Sequence, residues 1–179
     1  MKENNPSRNL AGMLATDEIG SAIRVACDRR LGVLDSHFMC RSVAQIPSKT
    51  ATCASPEDSV KQVLTLLREH KTGCVVIVNE VGVTQGIFSE RDFILKISAD
   101  CSSARMSLPI KDFMTREPMT VTSDCTLAFA LNLMSQGGFR HIPIVDEMGR
   151  PNSVLSVKDV VDVIVSQFVA DVLALEVEE

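Results

Sequence analysis

Two stretches of this chain repeat one another in register, and that self-similarity limits the fold more than any local pattern does. Displacing the sequence by 67 positions sets Leu64 on Leu131, Leu66 on Leu133, Ile77-Val78 on Ile144-Val145, Glu80 on Glu147 and Gly82 on Gly149. The register continues through Ser89 on Ser156, Asp92 on Asp159 and Ile97 on Ile164, with apolar character kept at Val43/Ile110, Val60/Leu127, Val75/Ile142 and Phe88/Leu155. The chain is therefore built from two copies of one unit.

Hydrophobic period changes in the same order in both copies. Ser55-Pro56-Glu57-Asp58 is a helix-start pattern, predicting Ser55 as N-cap, and Val60, Val63, Leu64 and Leu67 follow at helical spacing. Leu127, Ala130, Leu131 and Met134 repeat that stripe. The short apolar runs Cys74–Val78 and His141–Val145 predict strands buried on both faces. Turns at 79–82 and 146–149 end in a glycine able to supply positive φ, and partner strands follow over 85–88 and 152–155. A second helix begins at Glu90 or Val157, and a first strand is predicted around Ala51 to Ala54 or Met119 to Thr122. The fold class is α+β: two β-α-β-β-α units packed as a pseudo-twofold pair, because a single unit this small leaves a sheet face uncovered. The boundaries are an N-terminal helical extension at 1–42, a first unit at 43–108, and a second at 109–179 with a long C-terminal helix.

Gly86-Ile87-Phe88-Ser89-Glu90-Arg91-Asp92 resembles the Gly-apolar-apolar-Ser/Thr-x-x-Asp signature of CBS domains, and Gly138 to Glu147 resembles the central strand of bacterial CBS domains. The likeness covers about residues 43 to 165. It implies a tandem pair with two clefts that bind AMP, ADP, ATP or a related adenosyl ligand and require no cofactor. In that frame Asp92 and Asp159 accept hydrogen bonds from ribose hydroxyls, a vicinal diol being matched to a carboxylate. Ser89 and Ser156 stand at helix N-termini suited to phosphate. Arg91, Lys158 and Arg140 are the counter-charges implied for that phosphate. His141 either faces the cleft or is hydrogen-bonded within the fold.

A competing reading needs no ligand, since Ser-x-x-Asp is also a capping box. If the aspartates serve the ligand, Asp92→Ala abolishes binding and leaves the melting temperature nearly unchanged. Ser153 replaces the signature glycine in the second copy, and its Cβ is expected to narrow that cleft.

A net charge of -5 argues against a nucleic-acid partner, and Asp162 and Asp171 interrupt the apolar C-terminal stretch against a membrane span. Six cysteines without metal or disulfide spacing predict reduced thiols and a cytoplasmic protein. The initial MKENNPSRNLAGML lacks a continuous apolar run, so no secretory leader is expected. Thr16 to Arg30 predicts an amphipathic helix, and the C-terminal helix, Val157 to Leu175, carries more apolar side chains than one chain can cover, which predicts a homodimer. His37, His70 and His141 lack a nucleophile or metal pattern, so no enzyme is expected. Alternatives are a ligand-free scaffold for dimerisation or partner binding, and a redox sensor at Cys101 or Cys125.

Overall fold

A computed structural model describes residues 36–175; the helix expected over 16–30 lies outside the described residues. Two four-stranded sheets form from β1 (Lys49–Thr50), β2 (Cys53–Ala54), β3 (Cys74–Val78), β4 (Thr84–Ser89), β5 (Thr115–Arg116), β6 (Val121–Thr122), β7 (His141–Val145) and β8 (Pro151–Ser156). The helices are α1 (Ser36–Met39), α2 (Val60–Glu69), α3 (Glu90–Lys96), α4 (Ser103–Met106), α5 (Leu127–Gly137) and α6 (Val157–Leu175).

The sheet orders are β2-β3-β4-β5 and β1-β8-β7-β6. Within each, a parallel pair (β2/β3, β6/β7) adjoins an antiparallel hairpin (β3/β4, β7/β8). The fourth strand comes from the other copy. β1 lies near the start of the first unit and pairs with β8 of the second, whereas β5 lies near the start of the second unit and pairs with β4 of the first. These exchanged strands are two residues long and carry no readable alternation, so the sequence pattern alone did not separate β1 from β2.

β3 is buried on both sides, as its unbroken apolar run predicts. Val75 and Ile77 join Val60, Val63, Leu67 and Phe88 in the first core, while Cys74 and Val76 face the other unit and meet Val154. Leu127, Ala130, Met134, Ile142, Ile144 and Leu155 build the second core, which also takes in Phe38. Each core carries the apolar stripe of its unit's helix, and burial of that stripe stabilises α2 and α5 more than their intrinsic propensity does.

One helix start differs from the sequence pattern. Ser55 does not cap α2. Asp58 Oδ2 accepts from the Ser55 N–H at 2.8 Å in a turn, and the N-cap is Ser59, which forms a reciprocal box with Gln62. Thr126, the repeat-equivalent of Ser59, is the N-cap of α5, its side chain accepting from the Phe129 N–H without the reciprocal bond, because Phe129 has no acceptor to return it. The buried stripe begins at Val60, so only a cap at Ser59 places Val60, Val63 and Leu67 on one inward face.

The turn glycines do adopt positive φ, 84° at Gly82 and 75° at Gly149. Among the described residues no helix is long and apolar enough to cross a membrane, and no group of three or more His, Cys, Asp or Glu side chains is arranged to hold a metal ion.

Candidate functional site

Both Ser-x-x-Asp segments begin helices directly after a hairpin strand. Asp92 Oδ2 accepts from Ser89 N–H at 2.9 Å and from Ser89 Oγ at 2.6 Å, and the Asp92 N–H donates to Ser89 Oγ at 3.3 Å. Asp159 and Ser156 repeat this, with 2.8, 2.7 and 3.2 Å. The capping reading is thus realised at both places. It does not close the space beside them, because each aspartate also lies on the wall of an open cleft shared by the two units.

The first cleft encloses about 360 Å3, with Ser89, Arg91 and Asp92 on one wall and Phe139, Arg140 and His141 from the other unit opposite. Ile87, Leu95, Pro118 and Met119 add apolar surface, and Glu117 joins them from just beyond the exchanged strand β5. The second cleft, of about 840 Å3, has Ser156, Lys158 and Asp159 on its own unit's side and Arg68, Lys71 and Thr72 from the first unit. Gly73, Glu90, Arg140 and His141 border both clefts, since strands β3 and β7 start side by side between them. Their place at this divide is a spatial property with no sequence periodicity, so Gly73 and Glu90 escape a motif search.

The two aspartates differ in their second oxygen. Asp92 Oδ1 forms an ion pair with Lys96 Nζ at 2.7 Å and accepts from Thr115 Oγ1 at 3.3 Å. Burial works to raise the Asp92 carboxyl, but the hydrogen bonds from Lys96 and Ser89 outweigh it and hold it below the ordinary carboxylate value. Among the described residues Asp159 Oδ1 receives no hydrogen bond, and Val163 stands at the equivalent of Lys96. Lys96 lies four residues beyond Asp92, a spacing that would have revealed the pair in the sequence.

The basic residues also separate by role. Arg91 Nη1 donates to the Gly138 carbonyl at 2.8 Å, tying α3 to the end of α5 in the other unit. Lys158 Nζ pairs with Asp162 one turn along α6. Arg140 is exposed, with its guanidinium in reach of both clefts. His141 lies over Gly73, where an added Cβ would stand 2.6 Å from Nε2, so the missing side chain makes room for the imidazole. Burial, and then Arg140, lower the His141 pKa, partly offset by Asp159 and Glu90.

Ser153 does not narrow the second cleft as expected. Its Oγ meets Ser48 Oγ at 3.1 Å beside β1, away from the cleft wall. At the equivalent Gly86 an added Cβ would lie 2.4 Å from Met114 Sδ and 3.1 Å from the Thr115 carbonyl. The close approach that the glycine permits is therefore to the exchanged strand. The sequence separation of the partners hid this from motif reading.

Fold and site together define a tandem pair of β-α-β-β-α units enclosing two quasi-equivalent clefts. The CBS domain model matches residues 43–99 and 110–166, and the chain belongs to the CBS-domain family. It is 30% identical over 122 residues to the uncharacterized protein MK0525 of Methanopyrus kandleri, covering 68% of this chain and 62% of that one, so the chain spans less than two thirds of that relative's length. In three dimensions it resembles the CBS domain pair of protein MJ0100, solved in complex with 5'-methylthioadenosine and S-adenosyl-L-methionine, at a TM-score of 0.63 and 23% identity over 72% of this chain and 98% of that one. The CBS domain protein PAE2072 from Pyrobaculum aerophilum, complexed with AMP, aligns with a TM-score of 0.63 and 18% identity over 73% and 99% of the two chains.

Proposed function

We propose that this protein is a non-enzymatic regulatory module that binds an adenine nucleotide or adenosyl ligand, of the AMP, ADP or ATP type, between its two units and transmits binding as a change of shape or assembly. The observation that carries this reading is the position of Ser89 and Asp92 on the wall of a cleft of about 360 Å3 whose facing wall, Arg140 and His141, belongs to the other unit. A cleft of that size falls in the range of small-molecule sites, about 300–1,000 Å3. The adenosyl ligands in the two solved relatives support the ligand class.

The mechanism is differential affinity. A ligand touching both units favours whichever relative placement it binds better, and no bond is made or broken. A second copy of the chain is the receiver of that change: Ile94 on α3 and Val161 on α6 are repeat-equivalent and 63% and 48% exposed, giving the pair matching apolar surfaces for a homodimer. The cysteine pattern supports a reducing, cytoplasmic setting.

A ligand-free scaffold is the second reading, favoured by the engagement of both Asp92 oxygens within the fold. Isothermal titration with AMP, ATP and S-adenosylmethionine separates the two. The regulatory reading expects saturable heat from at least one of them, and silence from all three leaves the scaffold.

A further inference from the structure

The two clefts differ in charge at equivalent positions, and the difference is large. Five cationic side chains face two carboxylates around the second cleft, with Lys158 paired to Asp162 outside it, whereas two cations face three carboxylates around the first, with Asp92 paired to Lys96. This excess of positive charge arises in a chain whose net charge is -5. Resting on the adenosyl reading above, we infer that the clefts divide their ligands: the second takes the phosphate chain of a nucleoside di- or triphosphate, and the first takes an adenosyl group bearing little negative charge.

Three local features build the cationic side. Lys71 follows α2 with φ 47°, a left-handed backbone that disfavours a side chain, at the position where the second unit has Gly138 with φ 66°. The lysine occupies a glycine site and places its chain on the second cleft. Arg68, one turn earlier, also borders that cleft, whereas its repeat-equivalent, the neutral Ser135, does not line the first cleft.

Lys49 completes the set through strand register. Its repeat-equivalent, Arg116, pairs with Gly86, but Lys49 pairs with Val154, one residue out of step with the first sheet. A one-residue slip turns a side chain to the opposite face. Lys49 accordingly borders the second cleft, where its Nζ donates to the Lys71 carbonyl at 2.5 Å, while Arg116 lies outside the first and reaches the Lys111 carbonyl at 3.4 Å. Phosphate oxygens are matched by such converging cations, and the apolar first cleft, whose charges balance once Lys96 neutralises Asp92, is matched by an adenosyl group without a phosphate chain.

The test is calorimetric titration of the full chain with ATP, adenosine and inorganic tripolyphosphate, on the native protein, Lys71→Gly and Arg68→Ser. Glycine relieves the left-handed backbone, so Lys71→Gly keeps or raises the melting temperature and its folding is not in question. The expected result is a loss of ATP affinity of about tenfold in each variant, with adenosine affinity unchanged and tripolyphosphate displacing ATP but not adenosine. ATP and adenosine binding with unaltered affinity in both variants overturns the division and leaves the adenosyl reading intact. Tripolyphosphate binding that depends on Lys71 while neither ATP nor adenosine binds more tightly than it overturns the adenosyl reading and with it the division. No binding by any of the three overturns both.

Discussion

Lys96 Nζ lies 2.7 Å from Asp92 Oδ1, so the carboxylate carrying the family signature is neutralised from within its own helix in the first unit, where the second unit has Val163. Removing Asp92 takes away a helix cap and an ion pair together. Asp92→Ala is therefore expected to lower stability by about 1–2 kcal/mol, revising the unchanged melting temperature expected from the sequence.

Lys96→Met isolates the ion pair from the cap. The folded Asp92 carboxyl sits below its ordinary 3.8, so its contribution is complete above that value and is lost as pH falls through the folded pKa. Lys96→Met raises the folded pKa and shrinks that contribution. Urea midpoints measured across the acid range should fall less steeply below pH 3.8 in Lys96→Met than in the native protein; parallel curves would show that the pair carries no linkage.

Capping at the front of α2 gives a direct comparison of two serines. Ser59 Oγ accepts from Gln62 N–H at 3.3 Å, whereas Ser55 Oγ accepts from Glu57 N–H at 3.4 Å in a turn outside the helix. Ser59→Ala should cost about 1 kcal/mol and Ser55→Ala markedly less. Denaturant titration of both variants measures the difference, and equal losses would place the helix start at Ser55.

Gly86→Ser copies the second unit's residue into the first. The added Cβ meets Met114 Sδ at 2.4 Å, which can yield, and the Thr115 carbonyl at 3.1 Å, which belongs to the paired strand. The expected loss is about 1–3 kcal/mol from overpacking. Ser153→Gly in the other unit should cost less, because it removes only the hydroxyl contact to Ser48. Thermal unfolding of the two variants decides whether this position serves the strand junction.

His141 reports on the space between the units. Burial and Arg140 depress its folded pKa below 6.5, so its contribution to stability is present above that value and is lost as pH falls through 6.5 toward the folded pKa. A phosphate-bearing ligand raises the pKa by favouring the imidazolium. Proton-NMR titration, assigned with His141→Gln, should show the resonance moving to higher pKa on adding ATP; no change would place the phosphates away from His141.

What the sequence made legible followed the repeat. β3 and β7 emerged because each is an uninterrupted apolar run, and the turn glycines because two copies agreed on their position. Ser55 reads as the cap because Asp58 stands at box spacing, yet Ser59 is the residue that matches the cap Thr126 across the repeat. The aspartates are legible as motif residues, but their dual placement, capping a helix and bordering a cleft, depends on the starts of β3 and β7 meeting at Gly73 and His141. Lys71 carries no sequence signal, because a lysine in left-handed backbone contradicts ordinary propensity. Strand exchange is illegible in the sequence because a two-residue strand has no period to read.

That exchange makes the order of the chain differ from the order of its neighbours. Lys49 and Thr50 complete the sheet formed by the distant half, while Thr115 and Arg116 complete the sheet already passed. Damage near the front of the polypeptide is thus felt at the back: deleting residues ahead of Ala51 would bare the outer edge of β8. The halves are fastened like two clasped hands, each gripping by a finger of the other, and severing the connection between them would leave neither with a finished border.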